Sequence, residues 1–136
     1  MTKLIIQIPC FNEEDTLPIT LAALPKHIEG IDVIERLVID DGSRDRTSEI
    51  AAQHNVEHII KFSKNRGLAR AFMAGIEGAL EAGADFIVNT DADNQYCADD
   101  IKTLLMPIIS GDAEIVVGAR PINSISHFSP IKKYLQ

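Results

Sequence analysis

No apolar run in this 136-residue chain approaches the roughly 18 to 20 residues needed to cross a bilayer, so the sequence carries no candidate transmembrane segment. The start, Met1-Thr2-Lys3-Leu4-Ile5-Ile6, meets Gln7 and then Glu13-Glu14-Asp15 too early for a secretory signal, and the expectation is a cytoplasmic protein. Cysteine is almost missing. Cys10 and Cys97 are the only two, which excludes a disulfide scaffold and, with no His pair nearby, a closed structural zinc site. Positive charge is also short: 13 basic against 20 acidic residues leave a formal charge of −7, and the basic residues form no stripe, which argues against a nucleic-acid partner. Internal repeats and low-complexity segments are absent. What remains, 46% hydrophobic and 24% charged residues, is the composition of one soluble globular domain, which rules out a disordered or fibrous chain.

Short β-branched runs with no polar alternation recur along the chain at Leu4–Pro9, Arg36–Asp40, His58–Phe62, Phe86–Asn89 and Ile115–Gly118. That is the signature of parallel strands buried on both faces. Helical patterns separate them. Leu17 to Leu24 carries Pro18 in its first turn and is ended by Pro25; Ser43 or Asp45 caps a segment running to His54. A longer helix opens at Gly67 and stops at Gly83, with Leu68, Phe72, Ile76 and Leu80 repeating every four residues as its expected core face. A fourth begins at Asp99 or Asp100 and closes at Gly111. Strands alternating with helices predict right-handed crossovers and an α/β, doubly wound, mostly parallel sheet with helices on both faces. The regular pattern stops after Ala119, so residues 1–120 read as the core and 121–136 as the start of a further, incomplete segment.

In open α/β sheets ligands bind beyond the carboxyl ends of the strands. The segments there are strongly polar: Pro9-Cys10-Phe11-Asn12-Glu13-Glu14, Asp40-Asp41-Gly42-Ser43, Ser63-Lys64-Asn65-Arg66-Gly67 and Asp91-Ala92-Asp93-Asn94-Gln95. Glu13, Asp91, Asp93 and one of Asp40 and Asp41 are expected to share a rim, with Glu14 as a further candidate. Side chains alternate in direction along an extended segment, so only one of Asp40 and Asp41 faces the crevice. Asp91 and Asp93 can face the same way. A hard divalent cation takes oxygen ligands, often one or two protein carboxylates completed by substrate phosphates, and Asp-Ala-Asp meets that need. The plain alternative is turn and cap chemistry. Asp41 has the same two readings, a turn residue or an acceptor for a nucleobase N–H. Asn65-Arg66-Gly67 is either a helix start with a solvated arginine or a helix N-terminus and guanidinium beside a diphosphate. The four histidines lack metal spacing and are expected at the surface. Cys10 and Cys97 are expected on the rim, where metal plus nucleotide would slow alkylation of at least one of them.

Taken in order, Pro9-Cys10-Phe11-Asn12-Glu13-Glu14, Val38-Ile39-Asp40-Asp41-Gly42-Ser43-Arg44-Asp45-Arg46-Thr47, Asn65-Arg66-Gly67-Leu68-Ala69-Arg70-Ala71, Asp91-Ala92-Asp93-Asn94-Gln95 and Val117-Gly118-Ala119-Arg120 resemble the motif set of family 2 glycosyltransferases, nearest to the polyprenol-phosphate, dolichyl-phosphate mannosyltransferase-like branch. The resemblance runs to Arg120. It implies a GT-A fold and an inverting transfer of sugar from a UDP- or GDP-linked donor, with a lipid phosphate or a cell-surface glycan as acceptor. By that resemblance Pro9, Glu13 and Asp41 surround base and ribose, and Asn12 is a further donor-binding residue. Asp91 and Asp93 form the DxD pair with Gln95 assisting at Mg or Mn, Arg66 or Arg70 lies near the diphosphate, and Arg120 faces phosphate of the donor or of a lipid acceptor. The family's catalytic base is expected beyond Gln136, as is the rest of the acceptor site, and the full-length protein is expected at the inner face of the membrane. Asn94 stands where glycine is usual in the DADGQ form, and asparagine tolerates the left-handed conformation such a turn requires.

Other readings fit less well. A dinucleotide dehydrogenase needs Gly-x-Gly-x-x-Gly after the first strand, where Cys10-Phe11-Asn12-Glu13 stands. A sugar-nucleotide pyrophosphorylase should open with a glycine-rich loop carrying arginine. A Mg-binding phosphoacceptor signalling domain expects a lysine after its last strand, where this chain has Arg120.

Overall fold

The computed structural model describes residues 1–92 and 98–111, the side chains of 98 and 99 apart. In chain order the elements are β1 (Lys3–Cys10), α1 (Leu17–Ala23), β2 (Val33–Asp40), α2 (Thr47–Gln53), β3 (His58–Lys61), α3 (Leu68–Glu81), β4 (Phe86–Asn89) and α4 (Ala98–Ile109). The strands form one sheet in the order β3-β2-β1-β4, parallel throughout. The expected strand at Ile115–Gly118 lies outside the described residues. The chain divides into a unit Met1–Ala98, which holds the sheet, and a second from Asp99 onward, of which α4 is the described part. No helix among the described residues is long and apolar enough to cross a membrane.

The first two crossovers step from β1 to β2 to β3, and the third returns past β2 and β1 to place β4 on the far side. Right-handed crossovers running in opposite directions put their helices on opposite faces. Accordingly α1 packs against α2, while α3 lies over all four strands. Strand parity follows: Ile5, Leu37 and Ile39 face α3, and Leu4, Ile6, Ile8 and Val38 fill the other side, every one of them buried.

The face that α3 presents to the sheet corrects the sequence expectation. Ala71, Gly75 and Ala79 are buried, whereas Leu68 is 66% exposed, Phe72 39% and Leu80 61%. The sheet supplies the bulk at this interface and the helix supplies the room. A Cβ on Gly75 would stand 2.3 Å from Gln7 Oε1 and 2.8 Å from Ile39 Cδ1, so a larger residue there would lift the helix off the strands. Four-residue periodicity locates a helix, but here two faces repeat with that period and the smaller side chains are the ones that fit.

Candidate functional site

β1 pairs with β2 along its whole length, from Lys3 to Cys10, but with β4 only from Leu4 to Gln7. Past Gln7 the two strands part at the point where the sheet order reverses, and this is where an α/β sheet opens a ligand crevice. A cleft of about 390 Å³ occupies the position, within the usual range for small-molecule sites, roughly 300 to 1,000 Å³. Pro9, Cys10, Phe11 and Glu13 line it from the end of β1, Asp41 from β2, Asn65, Gly67, Leu68 and Ala71 from the start of α3, and Asp91 and Ala92 from the end of β4. Phe11, 46% exposed, and Leu68 give it apolar edges.

Much of the polar sequence around the cleft holds loops to one another. Asn12 N–H donates to Ser43 Oγ at 2.8 Å, and Arg44 N–H returns a bond of 2.8 Å to Asn12 Oδ1. Glu13 N–H donates to Thr47 Oγ1 at 2.9 Å and Glu14 N–H to Asp45 Oδ2 at 3.1 Å, while Arg46 N–H donates to Glu14 Oε2 at 3.2 Å. The loop after β1 is thus laced to the loop after β2. Asn12 holds φ 54, a left-handed conformation that asparagine adopts at low cost. Asp40 is 1% exposed and turns away from the cleft, accepting from Ser43 N–H at 2.8 Å and from Ser48 Oγ–H. Asp45 accepts from the hydroxyl and N–H of Thr47; burial pushes its carboxyl up, but these bonds and that from Glu14 N–H outweigh it and hold it below its ordinary value. Gly42, at φ 72, fits against the loop before α3, where a Cβ would meet the carbonyl carbon of Lys64 at 2.3 Å.

Of the adjacent pair Asp40 and Asp41, the second faces the cleft. Its carboxylate accepts the N–H of Arg66 at 2.7 Å, the N–H of Gly67 at 3.0 Å and Asn65 Nδ2–H at 3.1 Å. These donors lie at and just before the N-cap Gly67; the first-turn amides of α3, from Leu68 to Arg70, are not among them. A carboxylate thus stands beside the helix start where a diphosphate was expected, and an anion there would meet like charge. Arg66 stacks its guanidinium over the Phe62 ring, 5.1 Å from the centroid. Neither Arg66 nor Arg70 nor Asn12 lines the cleft, and no Lys or Arg does so among the described residues. Cys10 lines it but is 2% exposed, and its thiol donates to Ile8 O. Burial pushes that thiol far above its ordinary value, and the charges of Glu13, Asp40 and Asp45 add to the effect. Cys10 thus lies at the cleft as expected, but its burial makes it a poor alkylation probe.

Three carboxylates, Glu13, Asp41 and Asp91, border the cleft. Glu13 Oε2 accepts Thr16 Oγ–H at 2.5 Å, and Asp41 is bonded as described. Among the described residues no three acidic, His or Cys side chains gather into a metal cage. The donors present are carboxylate oxygens, the one sulfur being protonated, and this suits a hard divalent cation completed by ligand phosphates rather than a protein-only site. Asp93, Gln95, Cys97 and Arg120 lie outside the described residues. Sequence reasoning assigned Leu68 to the helix core face and did not single out Phe11, for which an aromatic immediately after a buried strand was the available signal.

Comparison with known proteins adds three findings. The family model described as Glycosyl transferase family 2 matches residues 5–134. A UDP-N-acetylglucosamine–dolichyl-phosphate N-acetylglucosaminyltransferase of Methanococcus voltae is 34% identical over 129 residues, covering 83% of this chain and 50% of its own, and an undecaprenyl-phosphate mannosyltransferase of Micrococcus luteus is 34% identical over 119 residues, covering 85% and 47%. Glucosyl-3-phosphoglycerate synthase from Mycobacterium tuberculosis, solved with Mn2+, UDP and glucosyl-3-phosphoglycerate, superposes with a TM-score of 0.71 at 19% identity over 93% of this chain and 47% of that one, a likeness of fold. The chain spans about half the length of the curated relatives it matches.

Proposed function

The chain belongs to glycosyl transferase family 2, and from that premise we propose that it forms the donor-binding half of an inverting transferase that moves sugar from a nucleoside-diphosphate sugar to a polyprenyl phosphate. The observation that carries this reading is the cleft at the reversal of the sheet, lined by Glu13, Asp41 and Asp91 between apolar edges. Phe11 and Leu68 flank the base. Asp91, with Asp93 and Gln95 beyond it in sequence, would hold Mg2+ or Mn2+, which would neutralise the diphosphate, and Arg120 would meet a phosphate. An acidic cleft with no lysine or arginine in its described wall repels a diphosphate unless a cation enters with it. Bound there, the cation offsets the charge that grows on the leaving diphosphate as the sugar bond breaks, which stabilises the transition state more than the ground state. The relatives that act on dolichyl or undecaprenyl phosphate support a lipid-phosphate acceptor and a place for the whole protein at a membrane face.

Calorimetric titration with UDP-glucose, UDP-N-acetylglucosamine and GDP-mannose, with and without Mn2+, tests this function. Binding of at least one sugar nucleotide that needs the metal is the expected result. Equal binding in the presence of EDTA, or none with any of the three, counts against it.

A further inference from the structure

Gln7 sits at the centre of β1 with no exposed surface. Its buried neighbours on that face of the sheet, Ile5, Leu37 and Ile39 under α3, are aliphatic. Two local rules are broken at this one point. The Gln7 Oε1 atom is buried without a hydrogen-bond partner, and the residue above it on α3 is a glycine, Gly75, in the middle of a helix. A buried unpartnered acceptor and an interior helix glycine each cost stability, and a methionine at position 7 would avoid the first. Where local preference is set aside twice at a single spot, a functional constraint is the usual reason.

The remaining bonds of Gln7 indicate that constraint. Its Nε2–H donates to Asn89 Oδ1 at 3.0 Å and to Phe72 O at 3.4 Å, and its backbone carbonyl accepts the N–H of Thr90 at 3.0 Å. Gln7 and Asn89 are the last pair in register between β1 and β4. One residue thus grips the final rung of β4 through side chain and main chain at once. Asp91 follows two residues later. A second tie, Thr20 Oγ–H to Ala92 O at 2.7 Å, fixes the far side of the same short segment. We infer that Gln7 is a positioning residue which, through Asn89 and Thr90, sets the direction in which the chain leaves β4 and so aims the Asp91 carboxylate into the cleft. This rests on the proposed donor site, because it assigns Asp91 a phosphate-bound cation to hold.

The test separates aiming from stability. Gln7→Met keeps the volume and removes the amide; Asn89→Ala removes the acceptor at an exposed position without touching the core. In both variants Mn2+-dependent binding of UDP and GDP, read by calorimetry, should weaken roughly tenfold, the loss expected when a group orienting a metal ligand is removed. Uridine and guanosine binding without metal should not change, and neither should the thermal midpoint of Gln7→Met fall. The double variant should lose no more than either single one, because both changes cut one link. Wild-type affinity for UDP or GDP with Mn2+ in both variants overturns the role of Gln7 while leaving the proposed function standing. Equal weakening of nucleoside and nucleotide binding assigns it to packing alone, which also overturns the role. Absence of metal-dependent binding in the wild-type chain overturns both.

Discussion

Asp41 joins the end of β2 to the start of α3, 24 to 26 residues away, by accepting two backbone amides and the Asn65 side chain. Replacing it by alanine removes three part-buried hydrogen bonds to a carboxylate, and Asp41→Ala should lower unfolding free energy by roughly 2 kcal/mol, measurable by urea denaturation. An unchanged midpoint would mean that water takes over the amides. Its neighbour Cys10 provides a second test at the same scale. The thiol is buried and held protonated, so iodoacetamide at pH 8 should leave Cys10 unmodified in the folded chain and label it at once in urea. The sequence placed both residues after buried strands and left Asp41 open between turn and ligand roles. It could not reveal that the carboxylate holds the residues just before a distant helix, because the partners lie far along the chain. Asn12 illustrates the same limit: a residue expected to bind donor bonds one loop to another, and nothing in its spacing distinguishes a side chain that grips a neighbouring loop from one that grips a ligand.

Between elements, the α3 interface is decided by space. Helix propensity alone predicts that Gly75→Ala gains about 1 kcal/mol. The contact with Gln7 and Ile39 predicts the opposite sign, a loss of about 1 to 3 kcal/mol from overpacking, and thermal unfolding of that single variant decides between them. The outward stripe of Leu68, Phe72 and Leu80 was legible as periodicity but not as exposure, since the sequence does not state which of two four-residue repeats a sheet of Ile and Leu will accept. At the opposite end of the sheet from the cleft, Glu35 of β2 meets Lys3 Nζ of β1 at 3.1 Å and His58 Nε2 of β3 at 3.2 Å. Burial raises the Glu35 carboxyl, but hydrogen bonds from His58 and Lys3, with their charges, prevail and hold it below its ordinary value of 4.5. A carboxyl lowered on folding stabilises the native state above its unfolded value and loses that contribution as pH falls through the folded one. The slope of stability against pH below about 4.5 should therefore be shallower in Glu35→Gln than in the parent chain, and parallel curves would show that the cluster contributes nothing.

For the molecule as a whole, four of the five expected strands and all four helices fall where apolar runs, Pro18, Gly67 and Gly111 place them; the fifth strand lies outside the described residues. Parallel order follows from the alternation of strands with helices, and the crevice from the reversal between β1 and β4. Which motif residues enter that crevice did not follow, because it depends on how neighbouring loops partner one another. A formal charge of −7 and a cleft bordered by three carboxylates make one physical demand of any diphosphate ligand, a cation brought with it. A co-crystal with UDP or GDP and Mn2+, phased at the manganese edge, tests that demand most directly. The account predicts one anomalous peak roughly 2 Å from an Asp91 carboxylate oxygen, with the diphosphate on its other side and the base between Phe11 and Leu68. Nucleotide bound against Arg66 at the start of α3, or manganese remote from Asp91, would contradict it.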